Sequence, residues 1–123
     1  MKKGIFTKDA PEAIGPYSQA IVSGGTIYVS GQLPIDADGK IPEGAVEQAV
    51  QSLKNIKAIL EAAGSSMDKI LKVSVFMTDL KDFIAVNEAY ATFFGKPFPA
   101  RVAIQAAALP RGVKVEIDAI AEL

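Results

Sequence analysis

The chain has 123 residues, half of them hydrophobic, with 13 basic and 14 acidic side chains for a net charge of −1 and no Cys, His or Trp. That composition excludes a disulfide scaffold, a histidine general base, a thiolate nucleophile, a Ser-His-Asp triad and the usual zinc ligand sets. Lysines scattered from Lys2 to Lys114 form no phosphate-binding patch, so nucleic acid is disfavoured as a main partner. The short, interrupted apolar segments and the lack of a signal-peptide core point to a soluble, cytoplasmic protein of one domain, residues 1–123.

Ile5-Phe6 and the turn-rich passage after it predict an edge strand and a loop, closed by Gly15-Pro16. Tyr17 to Val22 and Thr26 to Ser30 flank Ser23-Gly24-Gly25, which is a hairpin signal. Gly31, after the second strand, frees the backbone to bend or to approach another group closely. Asp36-Ala37-Asp38-Gly39 starts like a calcium loop but lacks the later acid ligand at the right spacing, and is read as a surface turn.

Val46, Ala49, Val50, Leu53, Ile56, Leu60 and Ala63 recur at helical spacing from Ala45 to Ala63, and Gly64 is a natural stop. Leu71, Val73, Val75 and Met77 then alternate with Lys72, Ser74, Phe76 and Thr78 as a half-buried strand does. Asp79 or Asp82 caps a second helix, with Phe83, Val86, Asn87, Tyr90, Phe93 and Phe94 on one side and Gly95 at its end.

Between Lys96 and Arg111 the only charged residue is Arg101, which opens the run Val102 to Leu109 with Gln105 as its sole polar side chain. A strand here is expected to be buried on both faces and to carry the guanidinium at its edge or end. That cation requires a partner, either an acid such as Glu116 or Asp118 or an anionic ligand held by its planar fork. Leu109-Pro110-Arg111-Gly112 turns into a last strand, Val113 to Ala121. A simple hairpin there pairs Glu116 with about position 105, so spacing alone does not bring Glu116 to Arg101.

Strands, long helix, strand, helix and two strands predict an α+β sheet with both helices on one face. The other face is also apolar along Val102, Ile104 and Ala106. Self-association into a closed, symmetric homo-oligomer is the expected cover.

Ala13-Ile14-Gly15-Pro16-Tyr17-Ser18-Gln19-Ala20, Val29-Ser30-Gly31-Gln32-Leu33-Pro34, Leu53-Lys54-Asn55-Ile56, Val75-Phe76-Met77-Thr78-Asp79-Leu80 and Pro99-Ala100-Arg101 through Leu109-Pro110 to Val115-Glu116-Ile117 resemble the RidA/YjgF family over essentially the whole chain. The resemblance implies a chorismate-mutase-like α+β fold, a homotrimer with sites between subunits, and cofactor-free, metal-free hydrolysis of reactive 2-imino acids or enamines to 2-keto acids and ammonia. It implies carboxylate binding by Arg101, water positioning or proton transfer by Glu116, and a pocket lined by Tyr17, Ser30, Gly31 and Ala103. Without the resemblance, Tyr17 reads equally as an interface aromatic and Ser30 as a strand-end hydroxyl.

Val102 and Ala103 stand where many relatives have a small polar residue and a Cys, and the loop Gly95 to Phe98 looks shorter than in several relatives. A backbone contact at 103 survives that change; one requiring a thiol does not. Two competing functions remain, a carboxylate-binding or regulatory trimer without turnover and an endoribonuclease or translation inhibitor. The lack of His and of a basic patch argues against the latter.

Overall fold

The hairpin at Gly24-Gly25 forms as its sequence predicts. In the computed structural model, which describes residues 1–123, the two glycines have φ of +59° and +80°. Positive φ at both central residues makes the two-residue turn whose twist suits a hairpin, here closing β2 (Ala20–Ser23) onto β3 (Thr26–Gln32) with Ser23 opposite Thr26. A short β1 (Lys3–Ile5) adds to the outer edge of β2. Tyr17 lies before the strand rather than at its start.

Helix α1 (Ala45–Ala62) then crosses the sheet, β4 (Ile70–Met77) follows, α2 (Phe83–Ala91) returns the chain, and β5 (Ala100–Gln105) and β6 (Val115–Glu122) complete it. The strand order is β1-β2-β3-β6-β4-β5. Only β4 and β5 run parallel, as a crossover through a helix requires. Both helices lie on one face. Leu53, Ile56, Ile59 and Leu60 of α1 are fully buried against Ile27, Val115, Ile117 and Ala121 of the sheet core. Each such side chain contributes about 1.5–3 kcal/mol by leaving water.

Three polar residues of α1, Gln48, Ser52 and Asn55, are also buried, although periodicity singled out only apolar positions. Loop backbone explains them. Ser52 Oγ donates to the Gln32 carbonyl at 2.9 Å, and Asn55 Nδ2 donates to the carbonyls of Leu33 and Ile35 at 3.1 Å. Gln48 Oε1 accepts from the Lys114 amide at 2.7 Å. Buried backbone groups outside the ladders need partners, and α1 supplies them to the loop after β3 and to the entry of β6. At the surface, Asp36 Oδ1 accepts from the amides of Asp38 and Lys40, so the Asp36–Gly39 segment is a hydrogen-bonded turn.

The last two strands depart from expectation. β5 and β6 form no hairpin; β4 lies between them. β5 ends at Gln105 rather than running on to Leu109, and the Ala106 amide donates to the Met77 carbonyl. The residues explain the arrangement. Val115, Ile117, Ala119 and Ala121 are all buried on the helix side, which qualifies β6 for a central position. Arg101 and Gln105 face the same side of β5 and are tolerated only at an edge. Instead of being buried on both faces, β5 is largely exposed in the protomer, with Val102 and Ile104 42 % and 45 % accessible on the helix-free face.

Candidate functional site

Glu116 lies on the helix-free side of β6, between Val115 and Ile117, whose side chains enter the core. It faces a bulge in β3. Val29 pairs with Ala119 and Gln32 with Ile117, so Ser30 and Gly31 together oppose Asp118. The bulge presents Gly31 to the carboxylate: a Cβ added to Gly31 would lie 2.1 Å from Glu116 Oε2 and 3.1 Å from its Cδ. Glycine is required here by proximity and not by φ. Burial against this backbone, with the Asp118 charge adding to it, raises the Glu116 pKa above the ordinary glutamate value.

Glu116 and Gly31 line a cleft of about 480 Å³ together with Tyr17, Ile14, Gln19 and Arg111. Its size suits a small organic ligand. Gln19, 3 % exposed, ties the wall together: its Nε2 donates to the Pro11 carbonyl at 2.8 Å and its Oε1 accepts from the Thr7 amide at 2.7 Å. Gln19 therefore clamps the segment 7–11 against the start of β2. Arg111 enters through the turn after Leu109 with a left-handed φ of +59°. Sequence reasoning placed Gln19 within a motif and Arg111 within a turn without assigning either to the cleft. The turn signal located Arg111 in the chain, but only the fold brings it to the cleft that Tyr17 also lines. Ser30 spends its hydroxyl hydrogen on the Ser18 carbonyl at 2.6 Å, keeping its lone pairs free.

Arg101 is elsewhere. Its register partner in β4 is Val73, a core residue, so its side chain rises on the helix face, where it shares a shallow hollow with Leu80, Phe83 and Ala103. Glu116 pairs with Phe76 and points to the opposite face. Two strand spacings and three register positions separate them, each about 10 Å, so their Cα atoms are roughly 14 Å apart across the sheet. Neither acid proposed from sequence pairs with the guanidinium. Its partner is Asn87, whose Oδ1 accepts from Nη1 at 2.5 Å, and its Cζ lies 4.9 Å from the Tyr90 ring centroid and 5.4 Å from that of Phe83. The sole ion pair in the chain is Lys81 with Asp79, 3.3 Å apart at the surface.

One protomer thus unites Tyr17, Gly31 and Glu116 in a cleft and holds Arg101 and Ala103 in a separate hollow on the other side of the sheet. The first site offers a carboxylate of raised pKa, and the second an oriented guanidinium with most of its donors unused. No three acidic side chains converge as metal ligands, and no helix is long and apolar enough to cross a membrane.

The family model described as endoribonuclease L-PSP matches residues 7–123. The 2-iminobutanoate/2-iminopropanoate deaminase of Mus musculus is 51% identical, with 98% of this chain and 91% of that protein covered. The crystal structure of YyfA of the conserved Rid protein family from Yersinia pestis superposes with a TM-score of 0.97 at 48% identity, covering 100% of both chains. That of E. coli TdcF with bound serine does so at 0.93 and 45%, covering 98% of each. With full-length identity near one half and the same six-stranded sheet backed by two helices, this chain belongs to the RidA/YjgF family.

Proposed function

We propose that residues 1–123 act as a single domain that hydrolyses 2-imino acids, such as 2-iminobutanoate and 2-iminopropanoate, to 2-keto acids and ammonia without a cofactor or metal. The observation that carries the proposal is the Glu116 carboxyl, held against Gly31 in a small cleft with a raised pKa, in a chain that has no His or Cys to serve as a base. A base with a pKa brought nearer neutrality accepts a proton and returns it more evenly than an ordinary carboxylate. The deaminase name of the mouse relative, at 51% identity, supports the same chemistry. Serine bound to the E. coli relative supports a small carboxylate-bearing ligand.

In this mechanism Arg101 holds the substrate carboxylate in its fork and Glu116 orients a water molecule toward C2 of the protonated imine. The water oxygen bonds to C2 as the C=N π pair moves onto nitrogen, while Glu116 takes the water's proton. The resulting carbinolamine receives that proton on nitrogen, its C–N bond breaks with the electron pair leaving on ammonia, and the hydroxyl passes its proton to the Glu116 carboxylate as the C=O bond forms. Tyr17, Ser30, Gly31 and the backbone of Ala103 complete the walls.

Arg101 and Glu116 act together in this scheme only if they come from different copies of the chain, because within one copy they lie on opposite faces of the sheet. The uncovered face, with Tyr28 50 % and Ile104 45 % exposed, supports association of copies through it, and a homotrimer closes the arrangement symmetrically. Cytoplasmic location fits a role beside enzymes that release imino acids. RNA cleavage is disfavoured, despite the name of the family model, because the chain has no His and its scattered lysines form no basic patch to hold a phosphate backbone.

Imines generated in situ by an amino-acid oxidase provide the test. The expected result is a faster, enzyme-dependent decay to keto acid with no added metal, from a species that light scattering finds larger than a monomer. Imine decay at the uncatalysed rate would overturn the deaminase reading and favour a carboxylate-binding trimer without turnover.

A further inference from the structure

Phe83, Asn87 and Tyr90 recur at i, i+4 and i+7 along α2 and therefore share one stripe of that helix. All three meet the Arg101 side chain. Asn87 accepts one N–H, and the two rings lie 5.4 and 4.9 Å from the guanidinium carbon. Every one of these partners is neutral, and the chain's only ion pair lies at the exposed Lys81. A guanidinium has five N–H donors, of which Asn87 occupies one. Ring faces restrain its plane and attract its charge without cancelling it.

An aspartate in place of Asn87 would orient Arg101 equally well, being nearly the same shape. It would also neutralise the fork and compete with an incoming anion. We propose that Asn87, backed by the faces of Tyr90 and Phe83, is a positioning residue that holds the Arg101 fork in place while leaving its charge available to the substrate carboxylate. The proposal rests on the reading of Arg101 as the carboxylate-binding residue.

The amide's role separates from a merely structural one through the order in which substitutions act. If Asn87 served only packing or helix–strand docking, Asn87→Asp would be the mild change, since it keeps the shape and gains an ion pair, and Asn87→Ala the severe one. Under the proposal the order reverses.

The test is calorimetric titration of 2-ketobutyrate into the wild type, Asn87→Asp, Asn87→Ala and Arg101→Lys proteins, with imine turnover and thermal midpoints measured on the same samples. Asn87→Asp is expected to weaken keto-acid binding about 10–100-fold, the range of one charge-assisted interaction lost. Its loss of kcat/KM should fall mainly on KM, while its thermal midpoint stays at or above that of the wild type. Asn87→Ala should bind between the two. Binding by Asn87→Asp as tight as the wild type, or tighter than Asn87→Ala, would overturn the proposal. If Asn87→Asp does not fold, wild-type affinity in Asn87→Ala would overturn it equally. Arg101→Lys reports on the reading beneath: wild-type keto-acid affinity there would remove Arg101 from substrate binding, whereas lost affinity there with intact affinity in both Asn87 variants would defeat the positioning role alone.

Discussion

Gly31→Ala is the sharpest probe of the Glu116 cleft, because the structure states how far the carboxylate must move. The added methyl would lie 2.1 Å from Oε2, whereas carbon–oxygen contacts are found from roughly 3.3 Å, so the oxygen has to retreat by about 1 Å or more. A displacement of that size in a reacting group costs on the order of 10²-fold in rate. The fold itself has little to lose. Gly31 is not among the glycines with positive φ, so alanine adopts its backbone without strain and restricts the unfolded chain, a gain of about 0.4–1 kcal/mol. Pushing Glu116 off its rotamer costs about 0.5–1.5 kcal/mol, which nearly cancels that gain.

The expectation is therefore a protein of near-wild-type denaturation midpoint and oligomeric state whose imine turnover falls about a hundredfold. Measuring imine decay beside urea denaturation separates the two effects. In a double-mutant cycle, Gly31→Ala should add little to the loss already caused by Glu116→Gln, because both act on the same carboxylate. Turnover within a few-fold of the wild type in Gly31→Ala would show that the position of Glu116 does not matter to the chemistry. Full additivity in the cycle would assign Gly31 an independent role.

Glu116→Gln keeps the side chain's shape without its basicity, and should slow imine hydrolysis by at least about 10²-fold while 2-ketobutyrate binding by calorimetry stays near that of the wild type. The raised Glu116 pKa also has a pH signature. The folded chain favours the protonated form, so its contribution to stability is complete below the unfolded-state pKa and is lost as pH rises through the higher folded value. The difference in thermal midpoint between the wild type and Glu116→Gln should shift against the wild type over that window, and a pH-independent difference would contradict the assigned burial. Away from the site, Ser52→Ala deprives the Gln32 carbonyl of its buried donor and should lower stability by about 1–3 kcal/mol in chemical denaturation with the m-value unchanged.

How much of this was legible in the sequence differs from residue to residue. Periodicity located α1 almost to its ends, Ala45–Ala62 against an expected Ala45–Ala63, since Leu53, Ile56 and Leu60 recur once per turn and Gly64 ends the run. It passed over Gln48, Ser52 and Asn55, whose burial depends on loop carbonyls from distant parts of the chain. Gly31 after a strand left a bend and a close approach equally open, and the structure decides between them by supplying the approaching group, Glu116.

What local pattern alone determined, then, was the set of elements, the placing of both helices on one face, and the presence of a lone cation in an apolar stretch, because these follow from side-chain periods of 3.6 and 2 and from charge count. The neighbours of that cation were decided by tertiary structure. A turn at Pro110 and Arg111 suggests a hairpin, yet the fully apolar inward side of β6 takes the central place between β3 and β4, and β5, which carries Arg101, is left at the edge beside α2. Strand order depends on which whole face each strand can bury, a competition among segments that no single segment records. That competition sets Arg101 against Asn87 and the rings of Tyr90 and Phe83, and turns Glu116 to the opposite side of the sheet.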